Sequence, residues 1–175
     1  NEQHASLPEH MDSTGVAPAL LEYASAPDTV VIWLAERIRE IERFVGQLPS
    51  TAVFVNSESE VSPVAEALNQ ALGEHNIQVV ACREGQAVGQ ESSVRVFDIQ
   101  HIKGLEFEAV FFIGVDQLAS LHSDLFDKYL YVGATRAATY LGLTCNHRLP
   151  RIIESLRSQF TSDWSAPTGK NEGAR

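Results

Sequence analysis

The stretch Ala109–Val115 is apolar without interruption and carries no helical period. A run of that kind cannot lie half in water, so it belongs to a strand buried on both faces. Comparable runs stand at Thr51–Val55, Ile77–Cys82, Val94–Asp98 and Tyr140–Cys145. Between them the period changes. Val30, Leu34, Ile38, Ile41, Val45 and Leu48 recur every three or four residues, which predicts a long helix opening at Ala26-Pro27-Asp28 with Asp28 as its N-cap. Further helices are predicted over Pro63–Leu72 (ending near Gly73), Asp124–Ala137 and Pro150–Phe160, with a loop at Glu84–Ser92. Buried strands alternating with helices imply an α/β fold, a mostly parallel sheet with helices on both faces. Ligands of such sheets sit beyond the carboxyl ends of the strands, which directs attention to the loops after Phe97, Val115 and Cys145.

The 175 residues suit one domain, read as residues 26–160, with an acidic lead-in or linker at 1–25 and a flexible tail at 161–175. The longest apolar run is far short of the roughly 20 residues that a bilayer demands, so no membrane association is expected. Cys82 and Cys145 have no paired spacing, and the six histidines no ligand spacing. Neither a disulfide framework nor a metal site is expected, and the composition suits a reducing cytoplasm. The net charge of −10 is unevenly placed. Residues 1–90 hold 13 acids against 4 bases, and residues 91–175 hold 10 against 9, so any nucleic-acid footprint belongs to the second half.

No G-x-x-x-x-G-K-[ST] phosphate loop occurs in the chain, so it cannot hold a triphosphate by that route unaided. Asp116, following a strand like a magnesium-binding aspartate, then reads better as a strand-terminating turn residue. Two segments carry more. In Ile102–Gly114 a Lys103-Gly104 turn precedes Glu106 and a buried strand; Glu106 is either a solvated turn glutamate or a carboxylate set to accept a hydrogen bond from a ribose hydroxyl. In Tyr129–Ala137, Arg136 ends a largely apolar stripe with Leu125, Tyr129 and Val132. A salt-bridge partner and a planar fork aimed at a phosphate are the two readings of that arginine. Trp33 reads as core, and Trp164, after the last helix, as either a cap on that helix or a loosely held residue.

Together the two segments are far more specific than either alone. KGLEFEAVFFIGVD (103–116) resembles motif V of UvrD-like superfamily 1 helicases, and YLYVGATRA (129–137) resembles their motif VI, in the right order and about two dozen residues apart. TAVFVNSESEVSPVAEALN (51–69) is similar to the weaker motif IV. The resemblance implies a RecA-like fold, related to P-loop NTPases but lacking the P-loop, and makes the chain the C-terminal motor domain of an ATP-dependent DNA or RNA helicase or translocase. ATP and Mg2+ would be held mainly by an N-terminal RecA-like domain. The resemblance assigns Arg136 to the γ-phosphate as catalytic arginine finger, Glu106 to the ribose, and Gly104 with Lys103 to the nucleotide-side turn. Asp98, Gln100 and His101 would face single-stranded nucleic acid. By itself the chain would be inactive.

The sequence also departs from the pattern. Asp98-Ile-Gln100 replaces the Thr-x-His of many relatives, and a carboxylate repels phosphate. Asn56 and Ser57 fall where a second phosphate-binding arginine often stands, and no arginine occurs between Thr51 and Cys82. The short run from Thr51 to Ile102 leaves no room for a large inserted domain and suggests a compact helicase. The alternative is a degenerate helicase-like module that docks a protein and has no ATPase role.

Overall fold

A computed structural model describes residues 16–128 and 138–164. Its centre is a six-stranded, wholly parallel sheet formed by β1 (Ala19–Leu21), β2 (Thr51–Val55), β3 (Val79–Ala81), β4 (Val94–Asp98), β5 (Ala109–Phe112) and β6 (Tyr140–Thr144). The strand order is β1-β6-β5-β2-β4-β3, so β2 lies between β4 and β5. Among the described residues, three helices of seven residues or more accompany it: α1 (Pro27–Val45), α2 (Val61–Leu72) and α3 (Val115–Leu121). The chain has an α/β fold with a mostly parallel sheet, as its sequence predicts.

Strand pleating sorts the core into two layers. Val53, Val55, Val94, Val96, Ala109 and Phe111 face α1 and α2, packing with Trp33, Leu34, Ile38, Leu68 and Leu72. Ala52, Phe54, Phe97, Val110 and Phe112 face the other way, toward Leu118, Phe126, Leu149 and Ile153. On this side Phe54 sits between Phe97 and Phe112, with ring centroids 5.7 and 5.4 Å apart, so the three central strands share one aromatic row.

Several predicted boundaries move. The cap of α1 is Ala26, with Pro27 as the first helical residue; Asp28 lies in the first turn, where its charge still favours the helix dipole. Gly46, at φ +95°, ends α1 and donates its N–H to Glu42. The apolar run after Ala109 breaks at Gly114, whose φ of +69° turns the chain into α3. That helix was not predicted, because an apolar run by itself does not separate strand from helix. In the predicted helix Asp124–Ala137, Ser123–Leu125 forms a short α-helical turn that continues as π-helix over residues 126–128, and residues 129–137 lie outside the described residues. The predicted helix Pro150–Phe160 is two short pieces, Arg151–Glu154 and Arg157–Gln159.

Both flanks of the predicted domain join the fold. Ala19–Leu21, expected in the linker, pairs with Gly142–Thr144 as the edge strand. Thr161 and Trp164, expected in the tail, close the opposite end of the chain onto the same edge. Thr161 bridges Ala19, and Trp164 is 3% exposed, donating its indole N–H to Ala17 at 2.7 Å. An indole needs several elements to bury it. Here they are Phe111, Tyr140 and the α1 carboxylate Glu40, which accepts the Trp164 backbone N–H.

Candidate functional site

The carboxyl ends of β2, β5 and β6 are fastened to one another by side-chain hydrogen bonds from Asn56, Thr144 and Asp116. Asn56, directly after β2, is buried and donates from Nδ2 to the carbonyls of Ile113 and Gly114 at 3.0 and 3.1 Å. Gly114 in turn donates its N–H to Thr144 Oγ1 at 2.9 Å. Asp116, in the first turn of α3, accepts the N–H groups of Asn146 and His147, each at 3.0 Å. Burial pushes its carboxyl pKa up, but those N–H donors outweigh burial and hold it below the ordinary range. The beginning of the loop after β6 is therefore pinned to the first turn of α3. Asp116 is a residue of that first turn and not the strand-terminating turn residue that its sequence position suggested, and Asn56 clamps the end of β2 to the end of β5.

Around the end of β4 the chain makes a tight turn. Asp98 is 3% exposed, and its carboxylate accepts the N–H of Gln100 at 3.1 Å. Gln100 is exposed, whereas His101 is half-buried, 3.8 Å from Glu58. Ligand atoms of Glu58, Asp98 and His101 all lie within 4.8 Å of one another. Both carboxylates already accept backbone N–H groups, Asp98 from Gln100 and Glu58 from Glu84 at 2.8 Å. Their structural task is to hold two turns together. Sequence reading did not single out Glu58; only the pairing of β2 with β4 brings its turn beside His101.

From here the chain crosses from the carboxyl end of β4 to the amino end of β5. Lys103 and Gly104 are exposed at the start of this crossover, and Gly104 has φ +84° with open space where a Cβ would stand. That conformation favours glycine and leaves the backbone accessible. Leu105 and Phe107 point into the aromatic layer, Phe107 lying 5.8 Å from Phe97. Glu106 falls between them and is exposed. The alternation is physical: two apolar anchors seat the crossover, and the intervening carboxylate turns to solvent. Glu106 thus stands on the crossover face, ahead of β5, not beyond that strand's carboxyl end. Arg136 lies outside the described residues.

The parallel sheet with this site is the fold of helicase C-terminal domains. The C-terminal domain of a possible DNA helicase from Lactobacillus plantarum WCFS1 superposes with a TM-score of 0.58 at 19% identity, covering 89% of this chain and 96% of that one. A hypothetical ATP-dependent RNA helicase from Sulfolobus tokodaii gives a TM-score of 0.58 at 12% identity, over 93% of this chain and 55% of that one. The chain therefore spans about half of the Sulfolobus protein. Residues 93–144 match the family model of the UvrD-like helicase C-terminal domain, which makes the resemblance to that domain a property of β4, β5, β6 and their connections. No curated protein matches by sequence. No helix among the described residues is long and apolar enough to cross a membrane.

Proposed function

We propose that this chain is the C-terminal motor domain of an ATP-dependent nucleic-acid helicase or translocase, completing an ATP site whose phosphates and Mg2+ are held by an N-terminal RecA-like partner domain. The observation that carries the reading is the Lys103–Phe107 crossover, which seats Leu105 and Phe107 in the core and leaves Gly104 and Glu106 open to a ligand. These residues fit a nucleotide: Glu106 accepts a ribose hydroxyl, and Gly104 with Lys103 lines the approach. ATP supplies the energy of γ-phosphate hydrolysis. Arg136 places a permanent, planar positive charge against that phosphate and stabilises the charge developing on it, a contribution on the order of 10³–10⁵ in rate. Gln100 and His101, at the rim of the neighbouring turn, face single-stranded DNA or RNA. Asp98 supports them by fixing the turn through Gln100. The protein works in the cytoplasm.

The test is ATP turnover, stimulated by single-stranded DNA or RNA, with this domain joined to its phosphate-binding partner domain. Arg136→Ala is expected to reduce turnover about a hundredfold or more while nucleotide binding persists. Unchanged turnover overturns the assignment and leaves a protein-docking module on a helicase-like fold.

A further inference from the structure

The outer side of α1, away from the strand ends described above, carries a groove that the nucleotide reading does not use. It has a volume of about 570 Å³ and runs between α1 and the carboxyl end of α2, with Ile32, Ala35, Arg39 and Arg43 on one wall and Ala71 and His75 on the other. At about 100° per residue, Ile32, Arg39 and Arg43 fall along one stripe of the helix, opposite its core-facing side.

Three features indicate what the groove takes. First, Arg39 Nε is buried and has no hydrogen-bond partner. A buried donor left unpaired within the chain is costly, so an acceptor brought by a partner would stabilise it. Second, neither Arg39 nor Arg43 has an ion pair among the described residues. The adjacent acids are directed elsewhere: Glu40 binds Arg37 through two bonds of 2.8 and 2.7 Å, and Glu36 lies 3.6 Å from the same guanidinium. Two guanidiniums one helical turn apart thus have no carboxylate within ion-pair distance among the described residues, in a chain of net charge −10. Third, the groove is partly apolar. Ala35 and Ala71 are small enough to let a backbone approach, and Ile32 is 57% exposed at the rim.

We propose that this groove receives an acidic, amphipathic helical segment of a protein partner, whose carboxylates at i and i+4 meet Arg39 and Arg43 while its apolar side chains cover Ile32, Ala35 and Ala71. Carboxylate pairs match the i, i+4 spacing of the arginines and supply the acceptor that Arg39 Nε lacks. A nucleic-acid strand fits less well, because its unbroken row of phosphates would also meet Glu36, Glu40 and Asp163 along the same groove.

The probe is a labelled, helix-forming peptide with glutamates at i, i+4 beside a leucine face, titrated into the full chain and followed by fluorescence anisotropy. Its counterpart with glutamine for every glutamate and an oligothymidylate of similar length serve as the other two arms. The acidic peptide is expected to bind, the glutamine peptide to bind at least about tenfold more weakly, and Arg39→Gln/Arg43→Gln to lose about the same factor. Arg39→Met is expected to melt at or above the wild-type temperature, since it removes an unsatisfied donor. No binding of the acidic peptide overturns the proposal. So do equal binding of the glutamine peptide or tighter binding of the oligothymidylate. A lower melting temperature for Arg39→Met also overturns it, by showing that Arg39 is held within the fold.

Discussion

Asn56 reaches across from β2 to the carbonyl of Gly114 at the end of β5, with Nδ2 3.1 Å from the oxygen. The same amide nitrogen would stand 3.3 Å from a Cβ placed on Gly114, so the side chain and the glycine are fitted to each other. Asn56→Ala would leave the carbonyls of Ile113 and Gly114 without this donor. The expected loss is about 1–3 kcal/mol, read from the midpoint of urea unfolding. Gly114→Ala is expected to cost a similar amount, because alanine pays about 1–2 kcal/mol for left-handed backbone and must crowd the amide.

Acid should weaken the fold through Asp116. Its folded pKa lies below the unfolded value, so the stabilisation is complete above the ordinary carboxylate range. It is lost as pH falls through the folded pKa. The melting temperature of Asp116→Asn is therefore expected below that of the wild type at neutral pH, with the gap closing on acidification. A gap independent of pH would show that the two N–H bonds to the carboxylate matter for shape and not for charge.

Neither cysteine should react in the native state. Burial raises the thiol of Cys82, and burial with the nearby Asp116 charge pushes that of Cys145 up to about 12. Both side chains are fully enclosed, so little thiolate exists and little reagent reaches it. Iodoacetamide is expected to label both only after denaturation, as counted by mass spectrometry.

Gly142 has its importance in space, not in backbone angle. A Cβ there would lie 2.4 and 2.6 Å from ring atoms of Phe111 on β5. Gly142→Ala is expected to destabilise by about 1–3 kcal/mol through overpacking, and the companion change Phe111→Leu should recover part of that loss. Denaturant titrations of the single and double variants measure it.

Trp164 holds the edge of the sheet from outside the predicted domain. Its replacement by alanine empties a space lined by Phe111 and Tyr140 and removes the bond to Ala17. A loss of about 3–5 kcal/mol is expected, with early exchange of the Ala19–Leu21 amide protons seen by hydrogen exchange. A truly loose tail would give no change.

For the nucleotide reading, Glu106→Ala is expected to raise the KM for ATP while leaving the melting temperature unchanged, because the carboxylate is exposed and the crossover is anchored by Leu105 and Phe107. A fallen melting temperature with unaltered KM would instead make Glu106 a turn residue.

The sequence alone determined the α/β character and the places of the central strands. Thr51–Val55 and Val94–Asp98 are strands as predicted, since an apolar run bounded by turn residues has few other ways to be buried. It also marked the Lys103–Glu106 crossover, whose resemblance to a helicase motif lies in local order of residues. Tertiary structure decided what such order does not contain. Ala19–Leu21 is too short for a period to show and becomes a strand only because β6 offers it an edge. The end of β5 and the start of α3 share one apolar run, divided by a glycine whose left-handed turn depends on Asn56 and Thr144 from distant segments. Glu58 gives no sign in the sequence of lying near His101, and the pairing of β2 with β4 sets the two side by side, while Asp98 accepts a hydrogen bond within its own turn. Arg39 looks like an ordinary surface base, and only the packing of α1 against its neighbours leaves its Nε buried without an acceptor. Periodicity records which side of an element is buried; which residues meet there depends on strand order, and that is fixed by contacts between parts of the chain far apart in sequence.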